Sequence, residues 1–168
     1  MISKKVCMLG SFSVGKTSLV EKFVHSIFSD KYLSTVGVKI SKRIVKLDDK
    51  DLTFVLWDME GQDMYSNINM SFLRGVMGYF IVMDGLRAET YQIGLDIYAV
   101  AQKIAGENIP CCFLINKADL QDKWEITQEM IEKLKQKGVK VFFTSAKFGL
   151  GVEDAFFALG REMCGEGK

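Results

Sequence analysis

Eight residues near the start of the chain have the types and spacing needed to bind phosphate. Residues 10–17 fit the pattern G-x-x-x-x-G-K-[ST], in which Gly10, Gly15, Lys16 and Thr17 take the specified positions. Glycines let the backbone curl so that successive N–H groups point at phosphate oxygens. The ammonium of Lys16 can pair with β- and γ-phosphates, and the hydroxyl of Thr17 can bind Mg²⁺. The segment therefore predicts a site for a nucleoside phosphate and magnesium.

The flanking sequence favours this interpretation over a chance glycine turn before a lysine. Residues 4–9 read as a short buried strand, and residues 17–24 have apolar side chains at helical spacing. Strand, loop and helix thus follow in the order that such a loop requires. The positive end of the helix would then face the phosphates.

A second group of polar residues follows a predicted strand, within residues 57–62. Asp58 ends that strand, and an acidic residue there can hold Mg²⁺ directly or through water. The backbone N–H of Gly61 can approach a γ-phosphate, and the amide of Gln62 can orient an attacking water. Alone, an aspartate and a glycine would indicate only a turn. Together with a phosphate loop, they predict a hydrolytic site.

Two short polar segments after the last two predicted strands indicate which base is bound. In residues 116–119, the carboxylate of Asp119 can accept hydrogen bonds from N1–H and the exocyclic amine of guanine, a donor pair that adenine lacks. In residues 144–147, backbone N–H groups can reach the guanine carbonyl. Either tetrapeptide alone is a weak signal, but their order and placement together favour guanine.

Alternating strand-like and helix-like segments must position these residues. Residues 38–47 and 52–58 form a predicted hairpin, and the other strands are separated by helices. We therefore expect an α/β fold with helices on both faces of a six-stranded mixed sheet, in which five strands are parallel and one edge is antiparallel. The predicted elements are strand 4–9, helix 16–28, strands 38–47, 52–58 and 76–84, helix 89–105, strand 111–115, helix 127–137, strand 139–144 and helix 151–163.

Taken together, these elements resemble the small GTPases of the Ras superfamily over essentially the whole chain. Residues 33–38 resemble the first switch of the Rab branch, residues 57–62 its WDTAGQ segment and residues 72–75 its YYRG segment. The resemblance implies a three-layer P-loop NTPase G domain spanning residues 1–168, with GTP or GDP and Mg²⁺ as its cofactors.

The resemblance also implies roles for residues outside the motifs. Thr35 would bind Mg²⁺ and touch the γ-phosphate, and Tyr32 would close over the phosphates. Phe28 would pack edge-on against the guanine, and Lys117 would lie along the base and the phosphate loop. The alternatives are a core aromatic at a helix end for Phe28 and a solvated hydroxyl for Thr35. The predicted catalytic residues are Gln62, Lys16 and Thr35, the predicted magnesium ligands are Thr17, Thr35 and Asp58, and the predicted nucleotide-binding residues are Gly10, Ser13, Val14, Gly15, Lys16, Thr17, Ser18, Phe28, Tyr32, Thr35, Gly61, Asn116, Lys117, Asp119, Ser145, Ala146 and Lys147.

Two residues beside the expected γ-phosphate depart from the family pattern. Phe12 stands where Ras has glycine and Rabs usually have a small residue. Its ring is large enough to obstruct an arginine finger and the catalytic glutamine, which would make hydrolysis slow, unless the ring folds outward over the switch regions. Glu60 stands where alanine is usual, and its carboxylate would weaken the triphosphate state or join metal coordination unless it points outward. Glu60 and the loop at residues 84–90 suggest a bacterial relative of the Rab group.

The sequence therefore predicts a guanine-nucleotide-binding switch that hydrolyses GTP slowly and presents nucleotide-dependent loops to protein effectors and regulators. Two alternatives stay open. One is a GTP-binding interaction module with negligible hydrolysis, and the other is an ATP-using P-loop enzyme such as a small kinase, against which residues 116–119 argue. An apolar cluster in the second switch is a candidate partner surface, although part of it must belong to the core; it comprises Met59, Met64, Tyr65, Ile68, Met70, Phe72 and Leu73.

Composition argues against several other classes of protein. Twenty-two basic and 21 acidic residues give a net charge of +1, so no overall field attracts nucleic acid or an anionic membrane. The four cysteines show no metal-ligand spacing, and reduced thiols are expected. The longest apolar run, residues 76–83, is too short to span a bilayer, and residues 164–168 are not a C-a-a-X box. We expect a monomeric, cytoplasmic protein without an intrinsic membrane anchor.

Overall fold

The computed structural model describes residues 2–26, 28, 37–59 and 70–165. Within these ranges, strands and helices follow one another in the predicted order. Short 3₁₀ segments lie at Met70–Leu73 and Ala118–Lys123. The strands and longer helices are β1 (Ile2–Gly10), α1 (Lys16–His25), β2 (Val38–Leu47), β3 (Lys50–Met59), β4 (Gly78–Asp84), α2 (Glu89–Ala105), β5 (Cys111–Asn116), α3 (Gln128–Lys135), β6 (Lys140–Thr144) and α4 (Val152–Met163).

The strands form one six-stranded sheet in the order β2-β3-β1-β4-β5-β6. The edge strand β2 is antiparallel to β3, from Val38 opposite Met59 to Leu47 opposite Lys50, and all other neighbours are parallel. The predicted α/β architecture with one antiparallel edge is confirmed. Because the chain moves from β1 to β3 on one side and to β4 on the other, the sheet has a switch point at β1, where a ligand crevice forms.

Helices cover both faces of the sheet, which explains why the central strands read as continuous apolar runs. Alternate residues of β1 face opposite ways: Val6 and Met8 belong to the core that α1 and α4 cover, whereas Cys7 and Leu9 belong to the core on the other face. Both β1 faces are therefore buried, and the loop that follows β1 starts from a firmly held strand.

Four phenylalanine rings fill the core beneath α1 and α4. Phe156 of α4 is fully buried at the centre of this group. Its ring stacks on Phe23 of α1 with centroids 3.9 Å apart, and it also contacts Phe80 at 4.6 Å and Phe54 at 6.0 Å. Such aromatic pairs contribute stability beyond their buried area. This group thus fastens α1, and with it the end of the phosphate-binding segment, to the sheet.

The structure corrects the predicted end of α1. Apolar spacing predicted a helix over residues 16–28, but α1 ends at His25. Ser26 adopts a left-handed backbone with φ 57° and donates its N–H to the carbonyl of Lys22 at 3.0 Å, which closes the last turn. Phe28 therefore lies beyond the helix, and 38% of it is exposed.

The hairpin is tighter than predicted, since β3 begins at Lys50 and only Asp48 and Asp49 connect the two strands. Of the apolar cluster expected in the second switch, Leu73 is fully buried in the core and Phe72 packs against that core. Met64, Tyr65 and Ile68 lie outside the described residues. No helix in the described part of the chain combines the length and the apolar character needed to cross a bilayer.

Candidate functional site

The predicted phosphate loop connects β1 to α1 at the switch point of the sheet. Val14 is fully buried and anchors the loop, while Ser13 has a left-handed φ of 60°. Gly15 has φ 102°, and a Cβ at this position would lie 2.3 Å from Nδ2 of Asn116. The motif glycine is therefore required because the loop runs directly against β5. Ser18 lies in the first turn of α1 and is half-buried.

Lys16 lies inside the loop rather than in solvent. Its Nζ donates hydrogen bonds to the carbonyls of Gly10 at 3.0 Å and Ser11 at 2.7 Å, and only 6% of the residue is exposed. Burial lowers the pKa of Lys16 to about 8; the carboxylate of Asp58 opposes this shift and the guanidinium of Arg87 adds to it. A phosphate placed beside this ammonium would favour the charged form and raise the pKa of Lys16 again.

Thr17 and Asp58, two of the three predicted magnesium ligands, meet at the carboxyl end of β3. The hydroxyl of Thr17 donates to Oδ2 of Asp58 at 2.6 Å, and Asp58 is fully buried. A hydroxyl and a carboxylate are hard oxygen donors of the kind that Mg²⁺ prefers, so this pair fits the ion. Thr35, the third predicted ligand, lies outside the described residues.

The two predicted base-binding segments are joined to each other. Oγ of Ser145, which is fully buried, donates to Oδ1 of Asp119 at 2.9 Å and so orients a carboxylate that faces solvent. The backbone N–H of Phe148 in turn donates to Oγ of Ser145 at 3.2 Å. Ala146 is buried, whereas Lys147 is exposed with its ammonium 5.6 Å from the ring centroid of Phe148. Asp119 is thus held ready to accept hydrogen bonds.

Asn116 connects the phosphate end of the site to the base end. Its Nδ2 donates to the carbonyl of Val14 at 3.0 Å, and its Oδ1 accepts from the hydroxyl of Thr144 at 3.2 Å. Only 3% of Asn116 is exposed, so these partners are what satisfy its amide. One side chain therefore holds the loop after β1 and the end of β6 in a fixed relation.

Lys117 has a partner that the motifs did not indicate. Its Nζ donates to Oδ2 of Asp84 at 2.6 Å, and the residue itself has a left-handed φ of 68°. Arg87 shares that carboxylate and also reaches the phosphate loop at Phe12. The indole of Trp124 donates to the carbonyl of Lys117 at 2.9 Å. The unusual loop at residues 84–90 was the only signal in the sequence that pointed towards Asp84 and Arg87.

The remaining predicted site residues fall outside the described part of the chain. Tyr32, Thr35, Gly61 and Gln62 are in this group, as is Glu60. Their expected roles stay predictions.

Known proteins resemble this chain over nearly its full length. A sequence model of the Ras family matches residues 5–165 of this chain. Ras-related protein Rab-8B from Homo sapiens is 32% identical over 160 residues, which is 95% of this chain and 77% of the relative. Rab-8B from Bos taurus and Rab-8A from Rattus norvegicus are each 31% identical over the same length. The chain belongs to the Ras family of small GTPases and is Rab-like.

Proposed function

We propose that this protein binds GTP or GDP together with Mg²⁺ at the carboxyl edge of its sheet and acts as a switch that hydrolyses GTP slowly. The observation that carries the proposal is the double contact of Asn116. Through Val14 it touches the phosphate loop, and through Thr144 it touches the segment that leads to Ser145. One sheet edge therefore presents a phosphate loop and a guanine-type acceptor site together, and a guanine nucleotide is the ligand that needs both.

At the base end, the carboxylate of Asp119 would accept from N1–H and the exocyclic amine of guanine. Ser145 supports this role because its hydroxyl already fixes the orientation of that carboxylate at 2.9 Å. Adenine has an acceptor nitrogen where guanine has N1–H. The carboxylate of Asp119 would then face the lone pair of that nitrogen instead of a hydrogen-bond donor. The backbone of Ser145 to Lys147 is proposed to receive the guanine carbonyl.

At the phosphate end, the ammonium of Lys16 would stabilise the negative charge that develops on the phosphate oxygens. Thr17 and Asp58 would hold Mg²⁺, which when bound neutralises charge on those oxygens. Gln62 would orient the water for in-line attack on the γ-phosphorus. Thr35 would respond to the presence of the γ-phosphate, so that hydrolysis releases the loop around it.

Slow hydrolysis is inferred from Phe12. The residue lies in the phosphate loop directly after Ser11, and 48% of it is exposed, so its ring is not absorbed into the core. A bulky ring at this rim would compete for space with an arginine supplied by an activating protein.

Protein partners are proposed to bind at the switch regions and the adjoining edge strand. Val38, Ile40 and Ile44 on one face of β2 are 42%, 51% and 57% exposed, and the exposed Lys42 lies between the two isoleucines on that face. Scattered exposed apolar residues are ordinary, but three of four successive positions on one strand face beside a switch support a partner surface. The single domain, the monomeric state and the cytoplasmic location stay predictions.

The test begins with the nucleotide that copurifies with the protein, followed by single-turnover hydrolysis of GTP by the parent and by Gln62→Leu. We expect a guanine nucleotide, and slower hydrolysis in the variant. Asp119→Ala should lose guanine affinity, whereas Asp122→Ala, an exposed aspartate of the same 3₁₀ segment, should keep it. Preference for ATP would refute the proposal, and tight GTP binding without any turnover would leave only the interaction module.

A further inference from the structure

Arg87 and Asp84 belong to no recognised motif of this sequence, yet they connect the phosphate loop to the base-binding side of the sheet. We propose that Arg87 is a positioning residue that holds the phosphate loop in its binding conformation and thereby slows release of a guanosine diphosphate. This inference rests on the nucleotide-binding function proposed above.

Asp84 occupies a strand end from which both sides of the site can be reached. It is the last residue of β4, which lies between β1 and β5, and its register partner on β5 is Asn116. Its side chain is only 1% exposed, so its charge requires partners. Lys117 donates to Oδ2 at 2.6 Å, and the backbone N–H of Leu86 donates to Oδ1 at 2.9 Å. The base-binding side is thereby tied to Asp84.

Arg87 extends this connection to the phosphate loop. Its Nε donates to Oδ2 of Asp84 at 3.0 Å, while its terminal NH2 group donates to the main-chain carbonyl of Phe12 at 2.7 Å. A guanidinium is planar and its donors form a rigid fork, so the two bonds together fix the carbonyl of Phe12 relative to the Asp84 carboxylate. A lysine has all its donors on one nitrogen at the end of a flexible stem, so it lacks the rigid fork that fixes these two acceptors relative to each other.

The loop that carries Arg87 is held on both sides, so the connection from Asp84 through Arg87 to the carbonyl of Phe12 is preorganised. The hydroxyl of Thr90 donates to the carbonyl of Arg87 at 2.8 Å. On the other side, the N–H of Glu125 donates to the carbonyl of Gly85 at 2.8 Å, and a Cβ on Gly85 would lie 2.2 Å from the ring of Trp124. Because this loop is packed against its neighbours, Arg87 can hold the phosphate loop in a fixed position relative to the sheet.

Two roles for Arg87 can be separated by experiment. Besides bridging, its guanidinium contributes positive charge near Lys16, since it is one of the groups that lower the pKa of that lysine. If charge alone mattered, a lysine at position 87 would serve as well as the arginine. If the rigid connection between Asp84 and Phe12 matters, a lysine would not replace the arginine, because its flexible stem and single nitrogen do not fix the two acceptors relative to each other.

The test follows release of a fluorescent GDP analogue from the parent, Arg87→Ala and Arg87→Lys. Arg161→Ala is the matched control, because Arg161 is a half-exposed arginine of α4 that faces Asp48 at the β2–β3 turn. We expect both Arg87 variants to release GDP about tenfold faster or more, since each loses a charge-assisted hydrogen bond to the loop. The control should release GDP at the parent rate.

A second measurement distinguishes positioning from a general loss of stability. GMP lacks the β-phosphate that a phosphate loop surrounds, so a displaced loop should weaken GDP binding about tenfold more than GMP binding. Equal weakening of both nucleotides, parent-like release from Arg87→Ala, or parent-like release from Arg87→Lys would each overturn the proposal. If the Arg87→Ala variant does not fold, the rate of GDP release from Arg87→Lys decides the test. A parent protein that binds no GDP would instead refute the proposed function.

Discussion

Replacing Gly15 with alanine tests how closely the phosphate loop must approach β5. Gly15 has φ 102°, and an added Cβ would lie 2.3 Å from Nδ2 of Asn116, so the methyl group and the amide cannot both keep their positions. That amide donates to the carbonyl of Val14 at 3.0 Å. We therefore expect Gly15→Ala to break this hydrogen bond and to displace the phosphate loop from the base-binding side.

Two penalties determine the size of the effect. A left-handed backbone costs an L residue roughly 1–2 kcal/mol, and buried groups that lose their hydrogen-bond partner cost about 1–3 kcal/mol. Because nucleotide binding requires the loop in this conformation, the sum of roughly 2–5 kcal/mol should appear in the affinity. With about 1.4 kcal/mol for each factor of ten, the affinity for GDP should fall between roughly 30-fold and a few thousand-fold.

Gly138→Ala is the matched control for this experiment. Gly138, between α3 and β6, has φ 74° and no heavy atom within 4 Å of an added Cβ, so it has the backbone penalty without the clash. Displacement of a fluorescent GDP analogue gives the affinities, and urea denaturation gives the stabilities. Gly138→Ala should lose about 1–2 kcal/mol of stability but keep its affinity. Affinities of the two variants within about threefold of each other would refute the reasoning from the Asn116 contact.

Three further predictions concern charge, turnover and packing. Since burial lowers the pKa of Lys16 to about 8 and a bound phosphate favours the ammonium, GDP binding should take up a proton above that pH and weaken as pH rises through it. Calorimetry at about pH 9 in two buffers of different ionisation enthalpy measures this uptake, and equal heats in both would contradict it. Phe12→Gly should raise basal or activator-stimulated GTP hydrolysis in single-turnover assays, and no gain in either would show that the ring does not obstruct. Phe156→Ala should reduce the free energy of unfolding by about 3–5 kcal/mol in urea titrations, while Phe148→Ala, at a position 69% exposed, should change it by less than about 0.5 kcal/mol; similar losses in both would contradict the central role of Phe156.

Much of the phosphate-binding part of the site could be predicted because the residues that form it are adjacent in the sequence. Gly15 and Lys16 follow one another at the start of α1, and the loop geometry that both require is local. The structure places Thr17 beside Asp58, 41 residues away, because β1 and β3 are parallel neighbours. Parallel pairing of strands brings their carboxyl ends together, so residues that follow successive strands could be assigned to one site.

The parts that could not be predicted depend on side chains that meet without a recognisable spacing. Arg87 contacts the carbonyl of Phe12, 75 residues away. Every residue type has a main-chain carbonyl, so the sequence does not indicate this acceptor. Lys117 donates to the buried carboxylate of Asp84, 33 residues away, and no motif spacing indicates that pair. The end of α1 was missed for a different reason, since the apolar spacing continues to Phe28 although Ser26 turns left-handed.

The chain has two tryptophans, and one of them lies beside the base-binding segments. Trp57 directly precedes Asp58 in β3, so the two side chains point to opposite faces of the sheet, and the ring of Trp57 lies 3.8 Å from the ammonium of Lys5. Trp124 covers Gly85, and its indole N–H is bonded to the carbonyl of Lys117. Indole emission responds to the polarity and hydrogen bonding of its surroundings, so the ring of Trp124 should report changes at the carbonyl of Lys117. The protein therefore carries a native optical probe beside its base-binding segments, and replacing Trp57 with phenylalanine isolates the signal of that probe.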